Sequence, residues 1–158
     1  YEAFGPFSSA FIIETLTDNK NRSASSIRLV FQKNGGRMGE SGSTTHLFYN
    51  CGVIQLDKKN CSEEEIFDLA TNLGAKDCQN LEDCHEIITD KENFYKIKSL
   101  IENKLNSSKY SGVEWRPFNY LNLNSDQLKK IRDLLETLDE IDDVQKIYTN
   151  VNLKNLQK

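Results

Sequence analysis

Between Asp18 and Arg37 the chain carries five basic side chains, Lys20, Arg22, Arg28, Lys33 and Arg37, against one acid, Asp18. The rest of the 158 residues lean the other way. Residues 1–50 hold five basic and four acidic groups, residues 51–120 nine and thirteen, and residues 121–158 six and seven. Contact with a phosphate backbone rests on Lys and Arg, so it is expected in the first segment and not in the acidic middle. In Asp18-Asn19-Lys20-Asn21-Arg22 a single Asp or Asn would suffice to cap a helix. The further amides, with Lys20 and Arg22 beside a helix N-terminus, suit a phosphate.

Other chemistries find less support. Gly35, Gly36 and Gly39 follow a helix and precede a strand, whereas a phosphate cradle needs strand, glycine turn, then helix, and no Gly-Lys-Ser/Thr element is present. These glycines read either as a helix terminator with a flexible loop, or as a place where RNA or a protein approaches the backbone closely. Cys51, Cys61, Cys78 and Cys84 show no CxxC spacing and the two histidines no ligand-like pairing, so no metal or other cofactor is expected. Reduced thiols are expected over disulfides. No nucleophile–base constellation appears: Glu114 and Asp90 are lone carboxylates, and His46 lies in an expected strand. Trp115 and Tyr120 read as packing residues rather than a base-stacking platform. The longest apolar runs are too short to span a bilayer, no signal peptide is visible, and the opening on Tyr1 points to a fragment or processed product.

Hydrophobic periodicity supplies the elements that position the basic cluster. Ser9–Thr17 reads as a buried strand. Ala24, Ile27, Val30 and Phe31 recur at helical spacing with Ser25, Arg28 and Gln32 outward, and Asn34-Gly35-Gly36 closes that helix. Thr44–Tyr49 is a second strand. From Cys51 the order is strand (Gly52–Asp57), helix (Ser62–Leu73, with Ser62 and Glu65 as a capping box), strands at Ala75–Gln79 and Glu86–Thr89, helix (Lys91–Leu105), and an extended segment over Ser111–Tyr120. This βαββαβ order is the ferredoxin-like pattern. An amphipathic helix over Asn124–Leu138, with Leu128, Ile131, Leu135 and Leu138 on one stripe, precedes a strand over Val144–Val151. Neither the first fifty nor the last thirty-eight residues make a comfortable sheet alone. The fold class is therefore α+β: a discontinuous α/β domain from residues 1–50 and 121–158, with a ferredoxin-like domain, residues 51–120, inserted between its halves.

The motifs YEAFGP, TLTDNKNRSASSIRLVFQKNGGRMGESGS, HLF, GVIQLD and DDVQKIYTNV resemble the YebC/PmpR family, whose mitochondrial member is a translational activator of cytochrome c oxidase. The resemblance covers the second and third domains of that family and implies that a basic helical N-terminal domain lies outside this chain. It implies a non-enzymatic translation factor that binds the ribosome (rRNA or tRNA) and supports synthesis of difficult, proline-rich proteins, with no small-molecule substrate and no membrane. A transcriptional regulator that binds DNA is the alternative, and mRNA is a further partner. The family's signature surface falls on Asp18, Asn19, Lys20, Asn21, Arg22, Gly35, Gly36, Arg37 and Gly39, to which the exposed Arg28 is added. Lys20 stands where arginine is common, and Phe7-Ser8 departs from a glycine-rich turn. Fifteen lysines, five arginines and sixteen asparagines indicate AT-rich coding, which favours the mitochondrial matrix over a bacterial cytoplasm.

Overall fold

The computed structural model describes residues 1–59, 61–105 and 108–154. Contacts divide the chain into two compact units, one of residues 1–49 and 115–158, the other of residues 50–114. The fold is α+β, with one four-stranded sheet in each unit and helices packed on it.

In the discontinuous unit the strands are β1 (Glu2–Phe4), β2 (Ala10–Thr15), β3 (Arg37–Met38) and β8 (Val144–Thr149), in the order β3-β1-β2-β8. Strand β2 pairs antiparallel with β1 and with β8, placing Phe11 opposite Thr149 and Ile13 opposite Ile147. Alternation along a strand sends neighbouring side chains to opposite faces. Phe11 and Ile13 accordingly join the core with Ile27 and Phe31 of α1 (Lys20–Lys33) and Leu128, Ile131, Leu134 and Leu138 of α4 (Ser125–Asp139). Ala10 and Ile12 form a smaller cluster with Phe48, against which Trp115 and Tyr148 pack. Trp115 is thus a packing residue, whereas Phe118 and Tyr120 are exposed.

Three local features differ from expectation. The sequence gives no sign of β1 or β3, which at three and two residues are too short to show a period. Thr44–Tyr49 is not a separate strand: Thr45–Leu47 forms one turn of 3-10 helix, and β4 runs unbroken from Phe48 to Asp57. The N–H groups of Thr44 and Thr45 donate to Glu2, so they are not available to a strand ladder. On the helices, α1 buries Ser23 rather than Ala24, and α4 buries Leu134 more deeply than Leu135. Ser23 goes inward because its hydroxyl has a carboxylate to meet there.

The continuous unit contains β4, α2 (Glu63–Asn72), β5 (Asp77–Asn80), β6 (Cys84–Asp90), α3 (Phe94–Leu105) and β7 (Tyr110–Pro117). Its sheet order is β5-β6-β4-β7, which for a βαββαβ chain is the ferredoxin-like arrangement. Helix α2 starts on the expected capping box: Ser62 accepts from the Glu65 N–H at 3.2 Å, and Glu65 accepts from the Ser62 N–H at 3.3 Å. It closes on Gly74 at φ +80°, a conformation that glycine adopts without steric cost. Ile66, Ala70, Phe94, Ile97 and Ile101 pack on Ile54, Leu56 and Ile87. The four cysteines form no disulfide.

Candidate nucleic-acid interface

Asn19 caps α1, its side-chain oxygen accepting from the Arg22 N–H at 3.1 Å, while Thr17 fixes Asn19 by accepting from its N–H at 3.0 Å. The Arg22 guanidinium, which the sequence offers as a phosphate ligand, is already engaged by carboxylates, although its side chain stays 52% exposed. Its Nε and Nη2 donate to the two carboxylate oxygens of Asp143 at 3.2 and 2.9 Å, and Nη2 also reaches Asp18 at 2.8 Å. Ser23 donates to the same Asp143 at 2.7 Å. The Asp143 side chain is only 12% exposed, so a second charge is required beside it. Arg22, then Ser23, hold its carboxyl below the usual aspartate range, against the opposing effect of desolvation. This bidentate pair ties the start of α1 to the residue that precedes β8. Arg22 is a structural fastener whose fork is already occupied.

Lys20, Asn21, Arg28 and Arg37 are exposed. Asn21 and Arg28 lie seven residues apart on α1, on one face together with Ser25 and Gln32. No carboxylate of the described residues lies within ion-pair distance of Lys20, Arg28 or Arg37. The Arg37 guanidinium instead sits 5.0 Å from the centre of the Phe4 ring, a cation–π arrangement.

The glycines serve the fold. Gly35 has φ +78° and ends α1. A Cβ on Gly36 would lie 2.3 Å from the Phe4 carbonyl oxygen, and one on Gly39 would lie 2.2 Å from Ser43 Oγ. The backbone that Gly36 admits is that of β1.

The sequence reading misses Glu2, which shapes the loop after Arg37. Its carboxylate accepts from the N–H groups of Gly42 (2.6 Å), Thr44 (2.9 Å) and Thr45 (2.7 Å). Desolvation pushes this carboxyl up, but the backbone donors of Thr44, Gly42 and Thr45 more than reverse that and hold it at about 2. The buried Thr44 hydroxyl donates to the Phe11 carbonyl at 3.1 Å, fixing the loop to β2. A lone Glu in a three-residue strand carries no sequence signal for this role. Asp143, beside Asp142, reads only as a helix end.

A family model described as the TACO1/YebC second and third domain matches residues 1–151. The chain belongs to the TACO1/YebC family. A probable transcriptional regulatory protein of Pelagibacter ubique is 42% identical over 155 residues, covering 98% of this chain and 64% of that protein. One from Rickettsia typhi is 42% identical over 154 residues, covering 97% and 61%. A crystal structure of the conserved hypothetical protein Aq1575 from Aquifex aeolicus superimposes with a TM-score of 0.84 at 35% identity, over 96% of this chain and 63% of that one. The chain thus spans less than two thirds of these TACO1/YebC relatives. At Phe7 and Ser8, where the family resemblance implies glycines, both residues take φ +63°. The backbone keeps a shape natural to glycine without having glycine there. No helix among the described residues is long and apolar enough to cross a membrane.

Proposed function

We propose that this chain is the non-catalytic part of a regulatory factor that acts by holding nucleic acid. The observation that carries the reading is the set of exposed, unpaired cations Lys20, Arg28 and Arg37 on an otherwise acidic chain. Asn21 adds a polar contact, and Asp18, Asn19, Arg22, Gly35, Gly36 and Gly39 give the surface its shape. The discontinuous unit corresponds to the family's second domain and the continuous unit to its third, which serves as a spacer or protein-contact arm. The names carried by the Pelagibacter and Rickettsia proteins support transcriptional regulation, hence duplex DNA as the first partner to test, and their bacterial origin supports a bacterial cytoplasm over the mitochondrial matrix.

A different observation favours the translational reading, with ribosomal RNA or tRNA as partner. The outer face of α1 (Asn21, Ser25, Arg28, Gln32) carries one cation, and the exposed positions of α4 mix Lys129, Lys130 and Arg132 with Asp133 and Glu136. Neither resembles a helix that reads base edges in a major groove.

The test uses the full-length protein. Reversing Lys20, Arg28 and Arg37 to Glu together should abolish binding, whether to promoter DNA in a shift assay or to ribosomes in co-sedimentation. Replacing the same three residues with Gln removes three phosphate contacts without reversing charge, and on duplex DNA should reduce the salt slope by about 2.7. Undiminished binding of both partners by the triple Glu variant would rule out this surface. Arg22→Glu is not a clean probe, because it also breaks the Asp143 pair.

A further inference from the structure

The Gly5–Ser9 turn is closed by its own hydrogen bonds. Gly5 N–H donates to the Ser9 carbonyl at 2.9 Å, and the Ser9 hydroxyl donates to the Pro6 carbonyl at 2.7 Å. Within it, Phe7 (φ 63°, ψ 29°) and Ser8 (φ 63°) both occupy the left-handed region, which costs a residue with a Cβ roughly 1–2 kcal/mol. Backbone held in such a region persists where the surroundings enforce it, and it clusters at functional sites.

Two cations stack on aromatic rings in or next to this turn. Lys130 Nζ of α4 lies 5.7 Å from the centre of the Phe7 ring, and Arg37 lies 5.0 Å from that of Phe4. Lys130 is exposed and, like Arg37, has no carboxylate of the described residues within ion-pair distance. The turn also abuts the end of α1: a Cβ on Gly35 would lie 3.7 Å from Pro6 Cβ, and one on Gly36 would lie 3.0 Å from Gly5 Cα. The exposed Lys33 is two residues before Gly35. Lys33, Arg37 and Lys130 thus lie near the C-terminal end of α1, whereas at its N-terminal end Arg22 is neutralised by Asp18 and Asp143 and Lys20 is the exposed cation left without a carboxylate.

We propose that the Gly5–Ser8 turn, with Lys130 stacked on its Phe7 and Arg37 on the adjacent Phe4, is a clamp for a phosphodiester chain, with the left-handed backbone at Phe7 setting its ring where it steadies the Lys130 ammonium. This rests on the nucleic-acid reading above. It adds Lys130 and Phe7, which that reading does not use.

The full-length protein is titrated with a 20-nucleotide single-stranded RNA, and with the duplex DNA of the same sequence, at several salt concentrations. Lys130→Gln should reduce the salt slope by about 0.7 on the single strand or about 0.9 on the duplex, and Lys130→Arg should restore it. Phe7→Leu keeps an apolar side chain but removes the ring, and should weaken binding several-fold in the wild-type background and not in Lys130→Gln. If the wild type binds and Lys130→Gln keeps its slope, the clamp is wrong and the broader reading stands. If the wild type binds neither probe, both are wrong.

Discussion

Glu2 offers a quantitative test of how the loop after Arg37 is held. Its carboxyl lies at about 2 in the folded chain against an ordinary value of 4.5. Each tenfold change in proton affinity is worth about 1.4 kcal/mol, which would amount to about 3 kcal/mol, but the carboxylate is partly open to water, whose screening reduces its contribution at neutral pH to roughly 1–2 kcal/mol. Because the folded value is the lower one, that contribution is complete above pH 4.5. It falls as pH drops through the window from 4.5 to about 2, and is gone below it. Glu2→Gln keeps the size of the side chain but offers one neutral acceptor to three N–H donors, so it should cost roughly 1–2 kcal/mol at pH 7. At pH 3 the wild type has lost more than half of this term, and the gap should shrink to about half a kcal/mol. Trp115 is the only tryptophan and packs within the same unit, so its fluorescence in urea titrations follows the relevant transition. Comparing the two proteins at each pH cancels the titration of all other carboxylates. A gap of the same size at pH 7 and pH 3 would refute the carboxylate clamp.

Ser8→Gly should raise stability by about 0.5–1 kcal/mol, since removal of left-handed strain outweighs the greater freedom of glycine in the unfolded chain. Ser8→Ala should leave it unchanged, and a thermal melt in which the glycine variant is the less stable of the two would contradict the strain. Gly36→Ala forces a methyl against the Phe4 carbonyl, at 2.3 Å before relaxation, and should cost roughly 2–3 kcal/mol. Gly42→Ala, with open space around it but φ +88°, should cost about 1 kcal/mol, so equal losses measured by urea titration would be wrong for this packing. Asp143→Asn should lower the melting temperature at pH 7 and converge on the wild type as pH falls below the aspartate range. Because the proton affinity of Asp143 is lowered in the fold, its stabilisation is complete above the ordinary aspartate value and is lost as pH falls through the lowered one, and a pH-independent loss would point to packing alone.

The parts of the fold legible in the sequence are those specified locally. The capping box at Ser62 and Glu65, and the stripes of α3 and α4, declare themselves within one or two turns. What escapes is pairing over distance. Arg22 looks like a free cation beside Asp18 because its second carboxylate lies at Asp143, at the far end of the chain. Glu2 looks like an ordinary surface acid because the N–H groups it collects come from a loop forty residues on. Arg28 is legible as an outward cation from helical periodicity, and Lys20 and Arg37 are legible as cations of the cluster from residue type alone. The left-handed pair Phe7-Ser8 was not, since neither residue type announces such a backbone.

The pairing of β2 with β8 carries a consequence for the order in which the molecule can form. The sheet that holds Phe11 and Ile13 is incomplete until the last strand has left the ribosome, while residues 50–114 form one uninterrupted stretch that can fold beforehand. Strands β4 and β7, within which the chain crosses between the units, are neighbours in that stretch's sheet. Folding it first therefore brings the crossing points together and shortens the loop that β2 and β8 must close. Each halving of such a loop recovers about 0.6 kcal/mol of chain entropy. Until then the edge of β2 that β8 covers is unpaired, the state most open to aggregation.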